Sequence, residues 1–250
     1  MTATASEAQR SSAVPERAPP VRVWDLGLRL FHWLLVIAVA LAFLSSEEDS
    51  PLNQWHILAG WVAGILIIFR LVWGFVGGEH SRFVNFIRPT RIAEHIAGLL
   101  RGKAEPTLGH NPLGGLSVVI LLILTGATVW TGAFGGEGAE DLHGLLAWTL
   151  LAVVALHVTA VVVMSLLQRE NRVAAMITGR KASDRHSNAA NAKPPTVIGV
   201  LVVAAVTAGA VYGILRYDPQ AFTLRNAESF ERGSTTAEAP REHEEIGETK

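Results

Sequence analysis

The sequence predicts an all-α fold, an integral membrane helical bundle in which a four-helix core is joined by a fifth transmembrane helix. Three observations predict it. Half of the 250 residues are hydrophobic and only 17% are charged. The apolar residues gather into five runs, near 27–45, 55–76, 113–133, 142–167 and 196–215. Each matches the roughly 20 residues of helix that cross a hydrocarbon core about 30 Å thick. The segments between the runs alternate in charge, as in a chain that threads a membrane repeatedly.

In chain order, residues 1–20 are polar, contain Pro15, Pro19 and Pro20, and lack an apolar stretch followed by a small-residue cleavage site. They read as a disordered cytoplasmic tail rather than a signal peptide. Runs one to four form a membrane domain over 21–181. A longer segment between runs two and three, about 78–112, is broken by Pro89, Pro106 and Pro112. Within it Ile92, Ile96, Leu99 and Leu100 recur at helical spacing beside Arg91, Glu94 and Arg101. That is the pattern of a short amphipathic helix, lying in the membrane interface or against the bundle end. Residues 182–195, rich in Ala, Ser, Asn, Lys and Pro, read as a flexible linker. The fifth run, 196–215, has no His, Asp, Glu, Lys or Arg between Val197 and Leu215, so it is expected to be peripheral and outside any site. The tail 216–250 is acidic and expected to be largely disordered, as a docking arm or a solvated end.

Positive residues fall on one side of the threading: Arg10, Arg17 and Arg22; then Arg82, Arg88, Arg91, Arg101 and Lys103; then Arg169, Arg172, Arg180, Lys181, Arg185 and Lys193. The alternate connections carry acids only, Glu47, Glu48 and Asp49 in one and Glu137, Glu140 and Asp141 in the other. The positive-inside rule then places the N-terminus in the cytoplasm and, with five spans, the C-terminus outside. A net charge of −1, with no basic stripe, gives no sign of nucleic-acid binding. The absence of cysteine excludes disulfides, iron–sulfur clusters, covalently attached c-type haem and thiolate metal sites.

Ionisable groups within a bilayer are costly and mark function. Four of the nine histidines, His32, His56, His143 and His157, fall in or at the ends of predicted spans. Imidazole is the usual axial ligand of a haem iron that only transfers electrons, because two nitrogen ligands leave no open position. Spacing tests this. His143 and His157 are 14 residues apart on span four, which brings them within roughly 40° of one face and about 21 Å apart along the axis. With the threading above, depth pairs His56 with His143 for an outer haem and His32 with His157 for an inner one. The alternative for each histidine alone is a hydrogen bond between helices.

Gly60, Gly64, Gly126 and Gly132 leave room for a macrocycle or for close helix approach. Arg70, 14 residues after His56, and Arg29, three before His32, could each pair with a propionate of the inner haem. Snorkelling to the interface is the other reading of both. Trp24, Trp33, Trp55, Trp61, Trp73, Trp130 and Trp148 mostly lie near span ends, as an aromatic belt does, and receive no redox role. His80, His95 and His110 are solvated interface residues or take part in quinone proton exchange; His186 and His243 lie in tails.

Four stretches carry a resemblance: VWDLGLRLFHW at 23–33, HILAGWVAGILIIFRLVWGFVGGEHSRF at 56–83, GHNPLGGLSVV at 109–119 and LHGLLAWTLLAVVALHVTAVVVMSLLQRENRVAAMITGRK at 142–181. Together they resemble the bacterial cytochrome b561 and nickel-hydrogenase cytochrome b family. The resemblance implies a four-helix haem-binding core with two haem b groups, ligand positions matching His32, His56, His143 and His157, and electron exchange between membrane quinone and a partner protein or small acceptor. The fifth span and acidic tail depart from that pattern and leave the partner open: a cytochrome c, a hydrogenase or a dehydrogenase. Three functions follow from the sequence. The first is a transmembrane electron wire and the second a membrane-anchor cytochrome for a periplasmic hydrogenase or dehydrogenase. The third is a haem-free proton-coupled transporter, disfavoured because no carboxylate sits mid-span and no pair of broken half-helices is present.

Overall fold

The computed structural model describes residues 19–47, 49–87, 98, 101, 109, 112–182 and 190–225. A two-residue strand β1 (Val21–Arg22) precedes α1 (Leu26–Leu44), and a 3-10 turn at Asn53–Trp55 leads into α2 (His56–Val76). After a single helical turn α3 (Phe83–Phe86) come α4 (Pro112–Phe134), α5 (Glu140–Leu167), the short α6 (Arg172–Thr178), the strand β2 (Arg180–Lys181) and α7 (Val197–Tyr217). Five of these helices are long and apolar enough to span a membrane, and the chain is a multi-pass membrane bundle. The amphipathic helix expected near 91–101, with His95, His110, His186 and His243, lies outside the described residues apart from Gly98 and Arg101.

Local chemistry sets the helix ends. Asp25 caps α1 by accepting from Leu28 N at 2.8 Å, Asn171 caps α6 through Ala174 N, and Thr196 caps α7 through Gly199 N. Gly179 ends α6 with φ +77, and a Cβ there would approach the Trp24 carbonyl to 2.7 Å, so only glycine fits. That tight approach lets Val23 N and Trp24 N both donate to the Gly179 carbonyl, beside the antiparallel pairing of β1 with β2.

The long helices alternate in direction. Contacts of α1 with α2 run from Ala42 beside His56 to Asp25 beside Trp73. Gly64 meets Val129, and Gly126 meets Ile67, between α2 and α4. Helix α2 is central, packing on α1, α4 and α7, while α5 packs along α4 and is the least buried of the five. The core of Val23, Trp24, Leu28, Phe31, Ile67, Trp73, Leu122, Ala175 and Val203 gathers residues from α1, α2, α4, α6 and α7, toward the end of the bundle that carries the basic loops.

Two stretches are more ordered than their composition suggests. Residues 190–195 dock on the basic end: Arg22 N donates to the Asn191 side chain, Ala192 N to the Arg22 carbonyl, Glu79 N to the Lys193 carbonyl, and Lys193 N to the Glu79 carboxylate. Residues 183–189 of the expected linker lie outside the described residues. At the acidic end, residues 218–225 fold back. Buried Asp218 accepts from Trp61 Nε1 at 3.0 Å and pairs with Arg225, whose backbone N donates to Gln54. Tyr217 completes an aromatic cluster with Trp61 and Phe134.

Candidate functional site

Helices α2 and α5 run in the same direction and carry His56 and His143 at their acidic-end starts. The two imidazole rings face one another across the bundle, centres 6.1 Å apart and planes at 78°. His56 Nδ1 lies 2.9 Å from the Ala42 carbonyl of α1, and His143 Nδ1 lies 2.9 Å from the Thr128 carbonyl of α4. A carbonyl only accepts, so Nδ1 carries the proton in each ring and Nε2 keeps its lone pair. Fixing one imidazole nitrogen so that the other can bind a metal is the usual outer-shell arrangement of ligand histidines.

Spacing and room both suit a planar cofactor. Two imidazoles bound to one metal from opposite sides, with bonds of about 2 Å, have ring centres about 6 Å apart. Gly60, one turn beyond His56, has nothing within 4 Å of where a Cβ would sit, and neither has Gly144 beside His143. Gly64, Gly126 and Gly132 serve close approach instead. A Cβ on Gly132 would lie 2.8 Å from His143 Cε1, so this glycine is what admits the His143 ring. Helix α5 meets α1 and α2 through side chains, Phe43 on Trp148 as well as His56 opposite His143. Among the described residues no cluster of three or more His, Cys, Asp or Glu could hold a bare metal ion.

Residues 23–179 match the family described as prokaryotic cytochrome b561. The chain belongs to that family. This b561-family cytochrome is therefore a membrane electron-transfer protein of b-type haem. Its relatives include probable Ni/Fe-hydrogenase B-type cytochrome subunits. The one from Bradyrhizobium diazoefficiens is 22% identical over 72% of this chain and 93% of its own length. The one from Azotobacter vinelandii is 22% identical, covering 64% and 87%. A probable Ni/Fe-hydrogenase 1 B-type cytochrome subunit from Escherichia coli is 22% identical, covering 64% and 90%. No solved structure matches the chain.

At the basic end of the cytochrome, His32 on α1 and His157 on α5 are half-buried and close enough to interact electrostatically. His32 packs edge-on against Trp33, ring centres 5.2 Å apart. His157 Nδ1 lies 3.4 Å from Ser117 Oγ, a long contact. Arg70 is 1% exposed, and its Nε, Nη1 and Nη2 make no hydrogen bond. Its Cζ sits 4.6 Å over the Phe83 ring and 6.0 Å from that of Phe31. A buried guanidinium with no acceptor is costly, and an anionic group placed there would satisfy it. Arg29 is engaged differently, donating from Nη2 to the Ile177 carbonyl at the end of α6.

Sequence reasoning did not find the groups around these sites. Asp25 serves as a hub, accepting from Trp73 Nε1 at 3.0 Å and from Ser81 Oγ besides capping α1. An Asp directly before an apolar run is a helix-start signal, and only the cap was readable from it. A buried ion pair joins Lys181 Nζ to Glu170 Oε2 at 3.1 Å, their side chains 2% and 8% exposed. Burial pushes Lys181 below the usual lysine range, with Glu170 pulling it back up. His80, in the loop after α2, stands edge-on to Trp24; burial holds its imidazole below the ordinary value against the opposing pull of Glu79.

Proposed function

We propose that the chain binds two haem b groups at two depths of a bacterial inner membrane and moves electrons between them. His56 and His143 would hold the haem at the acidic, periplasmic end; His32 and His157 would hold the one at the basic, cytoplasmic end. The observation that carries this reading is the His56–His143 pair, 6.1 Å between ring centres, with each Nδ1 on a carbonyl of another helix. When bound, haem supplies a one-electron couple that needs no open coordination position. The residues then do three things: the imidazoles hold the iron, the surrounding apolar helices exclude water, and Arg70 offers its unpaired guanidinium to a propionate. Arg29 is the weaker candidate for that last role because the Ile177 carbonyl already occupies it.

Quinone in the lipid is the proposed redox partner at one end, and a periplasmic redox protein at the other. The names of the relatives favour a hydrogenase in that second place, which makes the chain a membrane-anchor cytochrome subunit. Copurification of a large periplasmic subunit would support it. The decisive experiment is haem stoichiometry by pyridine haemochrome on the purified chain. Two haems are expected, falling to one in His32→Ala or His56→Ala and to none when His143 and His157 are both alanine. Full pigment in that double variant would overturn the assignment.

A further inference from the structure

We infer that Arg70 makes the basic-end site the preferred resting place of an electron, so that the two sites differ in potential and transfer runs downhill from the acidic end to the basic end. The inference rests on the two-haem reading above. Helices α2 and α5 run in the same direction, and His56 faces His143. Fourteen residues further along each helix stand Arg70 and His157. Equal spacing on two helices of the same rise puts Arg70 level with His157, about 21 Å from the first pair and within roughly 40° of the face that carries His56. Contact with Phe31, the neighbour of His32, fixes it to the same level from the α1 side.

The protein itself compensates the charge of Arg70 poorly there, and a propionate paired with it belongs to a group proposed for both ends, so Arg70 remains the difference between them. Arg70 is 1% exposed, and its guanidinium nitrogens make no hydrogen bond. Asp25 is close enough to interact with it electrostatically, yet that carboxylate already accepts from Leu28 N, Trp73 Nε1 and Ser81 Oγ. Within a low-dielectric bundle a unit charge acts over a long distance. The acidic-end site has the opposite surroundings: Glu140 and Asp141 lie in the first turn of α5, within three residues of His143, and Arg225 is paired with Asp218. Reduction adds one negative charge to a site, so a buried cation favours it and nearby carboxylates oppose it. The transfer itself is balanced: one ferrous centre at the acidic end becomes ferric as one ferric centre at the basic end becomes ferrous, and no bond or proton changes place.

The test is an optical redox titration of the purified full chain. Wild type should show two components. His143→Ala, which lacks the acidic-end haem, should retain the component of higher potential; retention of the lower one would overturn the inference. Arg70→Gln should shift the equilibrium between the two haems at least tenfold toward the acidic end, about 59 mV for one electron. Arg70→Lys, which keeps the charge, should restore most of that shift. Two haems with unchanged spacing of potentials in Arg70→Gln would sink the role of Arg70 and leave the two-haem reading standing. Fewer than two haems in wild type would sink the reading itself. Should Arg70→Gln lose its basic-end haem, the comparison of wild type with His143→Ala alone decides.

Discussion

The two ends of the bundle solve one problem differently. At the acidic end the paired imidazoles are oriented by main-chain carbonyls, Ala42 for His56 and Thr128 for His143, so ring orientation is settled once the helices pack. At the basic end the ring of His157 has only a long contact with Ser117, and among the described residues the ring nitrogens of His32 make no hydrogen bond. What the basic end has instead is most of the buried core and a buried, unpaired arginine. One site is organised by backbone, the other by packing around a charge. The contrast teaches that histidine spacing alone describes neither: the groups that position each ring come from other helices.

Three substitutions probe that contrast. The largest effect is expected at the basic end, from Glu170→Gln. It leaves Lys181 as a buried charge without its carboxylate, and losing one member of such a pair costs about 3 kcal/mol or more. A clear fall in thermal unfolding temperature should follow, and an unchanged midpoint would show that the ion pair does not anchor this end. Next comes Gly132→Ala at the acidic end. The added methyl would meet His143 Cε1 at 2.8 Å, an overpacking cost of about 1–3 kcal/mol. On the proposed two-haem assignment, the optical signature of the acidic-end haem should change while the other stays as it was; equal disturbance of both would mean that the sites are not independent. The smallest effect belongs to Ser117→Ala, where a 3.4 Å contact is lost and less than about 1 kcal/mol is at stake. A large change in haem retention there would mean that His157 is locked as firmly as His143, and the contrast would disappear.

The fold was legible because long apolar runs are an unambiguous signal. The expected runs at 27–45, 113–133 and 142–167 correspond to Leu26–Leu44, Pro112–Phe134 and Glu140–Leu167 within three residues at either end. The fifth run was equally plain, yet its partners were not. Its attachment to α2 through Trp61 and Asp218 joins residues 157 positions apart, and no local pattern encodes such a pairing. The same holds for Glu170 with Lys181 and for the hub at Asp25, whose partners are named only by tertiary contact. The histidines stood out because imidazole is rare and costly at membrane depth. Thr128 and Ala42 did not, because what they contribute is a carbonyl, which every residue possesses.

The hydrogen bonds from Val23 and Trp24 to Gly179 have a further consequence. They bring the two limits of the family match, residues 23 and 179, into contact, so the first four spans close into a ring with a seam. A polypeptide re-ordered to begin in the connection between α4 and α5, with the old ends ligated across that seam, would give every span the neighbours it already has. Helix α7 stands outside that ring, packed on α2.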